Sequence, residues 1–192
     1  MFADSLLVSE ARRQFFAVSG FDREGGYTKP VYWLGLKWLR VPIPNTAGRV
    51  RAVRLHDLHH LAAGYPTTWH GEVQIGAWEL AGGCGRYVAA WVLNLYAFAV
   101  GLFIAPHALW QAFVRGRRSL TLYRLGMTDD DVLQLPLGDL RSRLGLQGKT
   151  TSGSAGDAWA FAAVAAAALF QGALTVAVPL ALLGGLLLLA AS

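Results

Sequence analysis

Read for the spacing of apolar and polar positions, the chain divides into a run of helices. Residues 4–19 form one amphipathic helix, and residues 20–30 are a polar, glycine-containing turn region. Residues 31–41 (VYWLGLKWLRV) are aromatic and apolar, with Lys37 and Arg40 among them, and fit either a short helix or an interfacial segment broken by Pro42 and Pro44. Asn45 or Thr46 then caps a helix that runs through RVRAVRLHDLHHLAA to Gly64. Thr67 or Thr68 caps a second, over residues 69–80, ended by Gly82 and Gly83. The short linker between them predicts antiparallel neighbours. Residues 87–105 hold no charge, with Asn94 the most polar member, and Pro106 closes them. Residues 108–114 lead on to Arg115, Arg117 and Arg118. Thr128 caps the acidic run Asp129, Asp130 and Asp131, and a short helix follows over 139–144. No strand-like alternation of useful length stands out, so the pattern predicts an all-α fold. It comprises a two-helix hairpin inside a helical domain and a C-terminal hydrophobic membrane segment.

That last segment dominates the composition. The chain has 192 residues, 54% of them hydrophobic, and no charged side chain follows Asp157. This excludes disorder for the chain as a whole and argues against an ordinary soluble globule. Residues 158–191 are roughly 34 uncharged positions, interrupted only by Gln171 and Thr175, where one membrane span needs about 20. Pro179 and the Gly184–Gly185 pair divide them either into a span with a short second piece or into a tight hairpin. The alternative is a buried core hairpin. Residues 87–105 are just long enough to cross a bilayer, or else wall an apolar cavity. The organisation expected is an N-terminal helix and turn (1–30), a helical domain (31–146), a linker (147–157) and a hydrophobic anchor or hairpin (158–192).

Charge and cysteine narrow the partners. With 17 Lys and Arg against 12 Asp and Glu, the chain carries a formal net charge of +5. The hydrophobic tail makes a membrane, rather than nucleic acid, the partner of that positive charge. Arg141, Arg143 and Lys149 precede the tail and place the domain on the cytoplasmic side by the positive-inside rule. Arg49, Arg51 and Arg54 form a basic helix face. Cys84 is the only cysteine, which excludes an internal disulfide and a cysteine-based zinc site.

The densest chemical signal is His56-Asp57-Leu58-His59-His60, followed by His70-Gly71-Glu72. His56 and His60 stand one turn apart on one helix face, with Asp57 flanking it. Glu72, on the antiparallel partner, can face the pair. Two imidazoles and one or two carboxylates suit a divalent metal, zinc first and iron as the alternative. The candidate ligands are His56, Asp57, His60 and Glu72; Glu72 and Asp57 are also the candidate proton carriers. His59 and Glu79 are read as supporting or solvent-facing groups. His70 is a weak ligand candidate, and His107 and Cys84 are structural. Trp91, Tyr96 and Phe98 on the uncharged helix are candidate contacts for a lipid chain.

The segment HDLHHLAAGYPTTWHGE, with H-D-x-x-H, eleven residues and then E, resembles the coenzyme Q (ubiquinone) biosynthesis protein 4 family. Gly64, Gly71, the Arg115–Arg118 cluster and the LPLGDLRSRLGL segment extend the likeness over residues 31–146. The resemblance implies an all-α, membrane-associated protein of ubiquinone biosynthesis, with a metal on His56, Asp57, His60 and Glu72 and a polyprenyl chain in a nearby groove. It further implies oxidative decarboxylation at C1 of a polyprenyl-hydroxybenzoate. The alternative is a non-catalytic lipid-binding scaffold that organises the other quinone-biosynthesis enzymes. The location expected is the bacterial inner membrane with the domain on its cytoplasmic side, and a homodimer is compatible with the sequence. The chain departs from the family in its charge-free tail and before residue 31. A helical HD-type phosphohydrolase is the third reading, short of the extra ligands it needs.

Overall fold

The computed structural model describes residues 2–20, 25–36, 39–148 and 152–191. Helices account for 70% of it, and a long apolar helix closes the chain. α1 (Val8–Ser19) is shorter than the pattern predicts, because a turn at Asp4–Ser5 and an extended Leu7 precede it. Leu7 bridges to Pro136, and the N–H of Val8 donates to the Leu135 carbonyl at 2.9 Å.

Residues 31–36 and 39–41 are strand rather than the short helix the pattern allowed. β1 (Val31–Leu36) pairs antiparallel with β2 (Leu39–Pro44), the two-stranded exception to the all-α rule. The prolines sit where such a ribbon tolerates them. Each strand has an unpaired edge, so Pro42 and Pro44 can occupy positions opposite Trp33 and Val31 without a missing ladder donor breaking a larger sheet. The reading placed on Lys37 lies outside the described residues, as does part of the 20–30 turn.

α2 (Ala47–Ala63) and α3 (Trp69–Gly82) begin and end where their caps predict. The Thr46 side chain accepts from the Arg49 N–H and that of Thr68 from the Gly71 N–H. Gly64 closes α2 with φ at 80°, a left-handed conformation that glycine adopts without a Cβ penalty. Two distant arginines secure the same end. Arg115 donates to the Ala63 carbonyl at 2.9 Å, and buried Arg141 donates to Ala62 at 3.1 Å, to Phe2 and to Asp4. Positive charge on the last carbonyls of a helix is favourable, and here it also locks the site-bearing helix to the chain's start.

α4 (Val88–Ile104) and α5 (Pro106–Gly116) follow, with Pro106 at the first turn of α5. Three short helices, α6 (Leu122–Leu125), α7 (Asp129–Leu133) and α8 (Leu137–Arg143), return the chain beneath α2. Thr128 and Asp131 form a reciprocal capping box on α7. α6 was not foreseen; it is a single turn without a periodic stripe. The core centres on Trp78 and Ile75 of α3, with Phe98, Phe113, Leu58 and Leu61 around them. α3 packs against both α4 and α5. The α3–α5 crossing is close: a Cβ on Gly116 would lie 2.3 Å from the Trp78 carbonyl oxygen.

α4 is therefore a wall of the core, with Ala90, Asn94, Phe98 and Gly101 turned inward. α9 (Ala155–Ala191) is one continuous helix through Pro179, not a tight hairpin. Its first turns belong to the body. Phe161 packs on Phe98, Trp110 and Phe113 with ring centroids 5.0–5.3 Å apart, and Ala168 is buried. From Ala173 to Leu183 its side chains are exposed, and Ala155–Leu183 is long and apolar enough to cross a membrane.

Candidate metal centre

α2 and α3 run antiparallel, so the turn at His56–His60 meets the start of α3. The Nε2 atoms of His56 and His60 are 3.1 Å apart, and each lies 3.4 Å from a Glu72 carboxylate oxygen. Ligand atoms of these three residues all fall within 4.8 Å of one another. The placement of Glu72 depends on Gly71: a Cβ there would lie 1.8 Å from the Pro66 carbonyl oxygen. Only glycine lets the linker fold back far enough for the next residue to reach the histidines.

The outer nitrogens determine the chemistry of the inner ones. His60 Nδ1 lies 3.0 Å from the Tyr65 carbonyl oxygen, which can only accept, so the proton is on Nδ1. His56 Nδ1 is 2.9 Å from Glu79 Oε1 and carries a proton for the same reason. Both Nε2 atoms then point inward, at hydrogen-bond distance and beside a carboxylate, and each presents a lone pair whenever its imidazole is neutral. Such a cluster is stable only around a positive charge. In the metal-free protein, burial disfavours a charged His56, but Glu79 and Glu72 outweigh it and hold the imidazole well above its ordinary range. Burial also pushes the Glu72 carboxyl up; the two imidazoles prevail and hold it well below the usual range. Two neutral imidazole nitrogens and one carboxylate oxygen are the donor set of an open three-ligand site for zinc or iron, so the residues fit a divalent metal.

Glu79 organises this arrangement. It is completely buried and gathers four donors: His56 Nδ1, His59 Nδ1 at 2.6 Å, Asn94 Nδ2 at 2.5 Å and the Tyr123 hydroxyl at 3.2 Å. His59 Nε2 accepts from the Leu122 N–H at 2.8 Å, so His59 is neutral and donates through Nδ1. Despite burial, the histidines hold the Glu79 carboxyl far below its ordinary range. Hydrogen bonding of the non-ligating imidazole nitrogen to a carboxylate or carbonyl is the arrangement that aims metal-binding histidines.

Asp57 is not in the three-residue group. Its carboxylate accepts from the Tyr27 hydroxyl, and Arg54 lies 5.1 Å from the centre of the Tyr27 ring. Burial raises the Asp57 carboxyl, and that carboxylate together with burial raises the Tyr27 phenol. His70 and His107 are exposed. Cys84 is buried against the Glu79 carbonyl and Asn94, and burial keeps it a thiol. Trp91, Tyr96 and Phe98 have different partners. The Trp91 indole donates to the Gly85 carbonyl, the Tyr96 hydroxyl pairs with Thr175, and Phe98 is buried in the core. Tyr27, Asn94 and Tyr123 enter the site from far along the chain; only the polarity of Asn94 in an uncharged helix marked any of them.

The chain was compared with family models, curated proteins and solved structures, and nothing matches in any of the three.

Proposed function

We propose that this is a membrane-held metalloprotein that grips the acidic head of an amphiphilic substrate at His56, His60 and Glu72. The observation that carries the reading is the pair of Nε2 atoms 3.1 Å apart beside Glu72, each ring held from behind through its Nδ1 by Glu79 or the Tyr65 carbonyl. Within that class we favour a polyprenylated hydroxybenzoate and its oxidative decarboxylation at C1, with dioxygen as oxidant, on the resemblance of the His56–Glu72 segment to the ubiquinone-biosynthesis family. The bilayer on the cytoplasmic side of a bacterial inner membrane is the setting in which such a substrate dissolves, and α9 supplies the tether.

A bound divalent ion would act as a Lewis acid toward the ring carboxylate or phenolate. The chain's own groups do the rest. His60 is almost fully enclosed, whereas the Glu72 side chain is 37% exposed, so the substrate approaches from the Glu72 side. Glu79 and the Tyr65 carbonyl keep both imidazoles oriented without contacting the substrate. The Tyr27–Asp57 pair can hold a proton beside the site.

A second reading is a scaffold that binds the same head group without turnover. It is favoured by one observation: Asp57, the proton carrier other than Glu72, is engaged by Tyr27. The test is reconstitution of the full chain in detergent with zinc or iron, dioxygen and a prenylated hydroxybenzoate, following release of carbon dioxide. Turnover lost in His56→Ala and Glu72→Ala supports the enzyme. Metal-dependent lipid binding without turnover selects the scaffold, and failure of the wild-type chain to retain any divalent metal removes both.

A further inference from the structure

A second feature lies away from the metal. Between the end of β2, the start of α2 and the start of α4 is a cleft of about 880 Å³. Arg49, Arg51 and Arg86 line it, and Val88, Val92 and Leu93 form an apolar wall. Two of these charges are unpaired. Arg51 and Arg86 are exposed and have no carboxylate partner among the described residues, in contrast to Arg54, which lies 3.6 Å from Asp129. Arg49 is held between the Tyr32 ring, 4.7 Å away, and Asn45, with its Nε buried and lacking an acceptor.

The course of α9 shows what this cleft meets. Phe161 lies beside Phe98, whereas Gln171, ten residues later, donates to the Val92 carbonyl at 3.0 Å. α9 thus runs antiparallel to α4 and stays beside its N-terminal half as far as Thr175, whose hydroxyl pairs with that of Tyr96; the cleft's Val88 and Val92 stand on the same half of α4. At 1.5 Å per residue the stretch of α9 beyond Thr175 runs for roughly 24 Å, most of the ~30 Å of a hydrocarbon core. Val176, Val178, Leu180 and Leu182 on that stretch are exposed. α2, which packs on α4, carries the exposed Arg51 and Arg54, so the body itself does not sink to that depth. On the membrane reading of α9, the boundary between lipid tails and water falls beside the N-terminal half of α4, where the cleft opens.

From this juxtaposition we propose that the Arg49–Arg51–Arg86 cleft docks the phosphate of an anionic phospholipid in the bilayer that α9 enters, with the acyl chain along Val88 and Val92. The proposal rests on the membrane reading of α9 and is independent of the metal. Near an anionic surface each arginine contributes about 1 kcal/mol, so neutralising two weakens binding about thirtyfold.

The full chain is first floated with phosphatidylcholine vesicles. It is then offered phosphatidylglycerol and phosphatidylcholine in neutral detergent, and bound lipid is counted by native mass spectrometry. Support is a phosphatidylglycerol preference that falls about thirtyfold in Arg51→Gln/Arg86→Gln, returns in Arg51→Lys/Arg86→Lys and is unchanged in Arg54→Gln. Equal binding of the two lipids, or a preference indifferent to the double substitution, overturns the proposal. Full displacement by millimolar inorganic phosphate also overturns it and makes the cleft a site for a soluble anion. Failure to float overturns the membrane reading of α9, and the docking proposal with it, leaving the metal site untouched.

Discussion

Glu79→Gln separates an orienting role from a ligating one. The carboxylate accepts from four donors with no exposure to water. Gln keeps the shape and one carbonyl oxygen, which can still receive His56 and His59. Its amide then faces Asn94 Nδ2, donor against donor. The Tyr123 hydroxyl can adapt, because the Ala52 carbonyl lies 3.2 Å from it and can take its proton. One buried donor is therefore left without an acceptor, a cost of about 1–3 kcal/mol. His56 loses the charge that aims its Nε2, and loss of such a partner typically weakens metal binding ~10–100-fold.

Glu72→Gln should behave in the opposite way. That side chain is 37% exposed, so the metal-free protein changes by less than about 1 kcal/mol. Metal affinity, however, falls beyond the ~100-fold ceiling of an orienting partner, because a charged ligand is gone. Calorimetric titration of zinc into the chelator-stripped full chain, with thermal unfolding of the same samples, reads both quantities. A folded Glu79→Gln protein with wild-type zinc affinity would refute the claim that Glu79 aims the ligands. A Glu72→Gln protein that loses stability but keeps its metal would exchange the two roles.

Further outcomes follow from other contacts. Gly71→Ala forces the Pro66 carbonyl away from a Cβ 1.8 Å distant and should displace Glu72, seen as lost zinc binding with α2 and α3 still helical by circular dichroism. Arg141→Met strands the Ala62 and Phe2 carbonyls and should lower stability by about 1–3 kcal/mol in chemical denaturation. Ending the chain after Val178 should leave the unfolding temperature of the body nearly unchanged. Ending it after Ser154 uncovers Phe98 and Phe113, and should produce a protein that aggregates or binds a hydrophobic dye.

The helix pair and its caps were legible because their determinants are local. Thr46, Thr68 and Thr128 each bond a backbone N–H three residues on, and His56 and His60 share a face through one turn. What local pattern cannot carry is the partner of a short side chain. Asp57 stands beside His56 in sequence, yet Tyr27, thirty residues upstream, takes its carboxylate. His59, one position from a ligand, turns the other way to Glu79 and Leu122 and becomes part of the supporting network. The hairpin was hidden for a different reason. A two-stranded ribbon has no second layer to impose alternation, and its prolines read as helix breakers rather than as strand ends.

The uncharged stretches show why apolar length alone does not separate core from membrane. Residues 87–105 and 158–191 look alike in composition, yet α4 is held in the body by a polar contact as well as by packing. Asn94 reaches Glu79, and one turn later Phe98 receives Phe161. A helix in lipid would have no use for an amide aimed at a buried carboxylate; a helix closing a metal centre does. α9 begins against that same helix and then outruns it, with nothing among the described residues to cover Val176 or Leu180. α4 thus touches the orienting carboxylate through Asn94 and the start of α9 through Val92 and Phe98, which fixes it in the body from both sides.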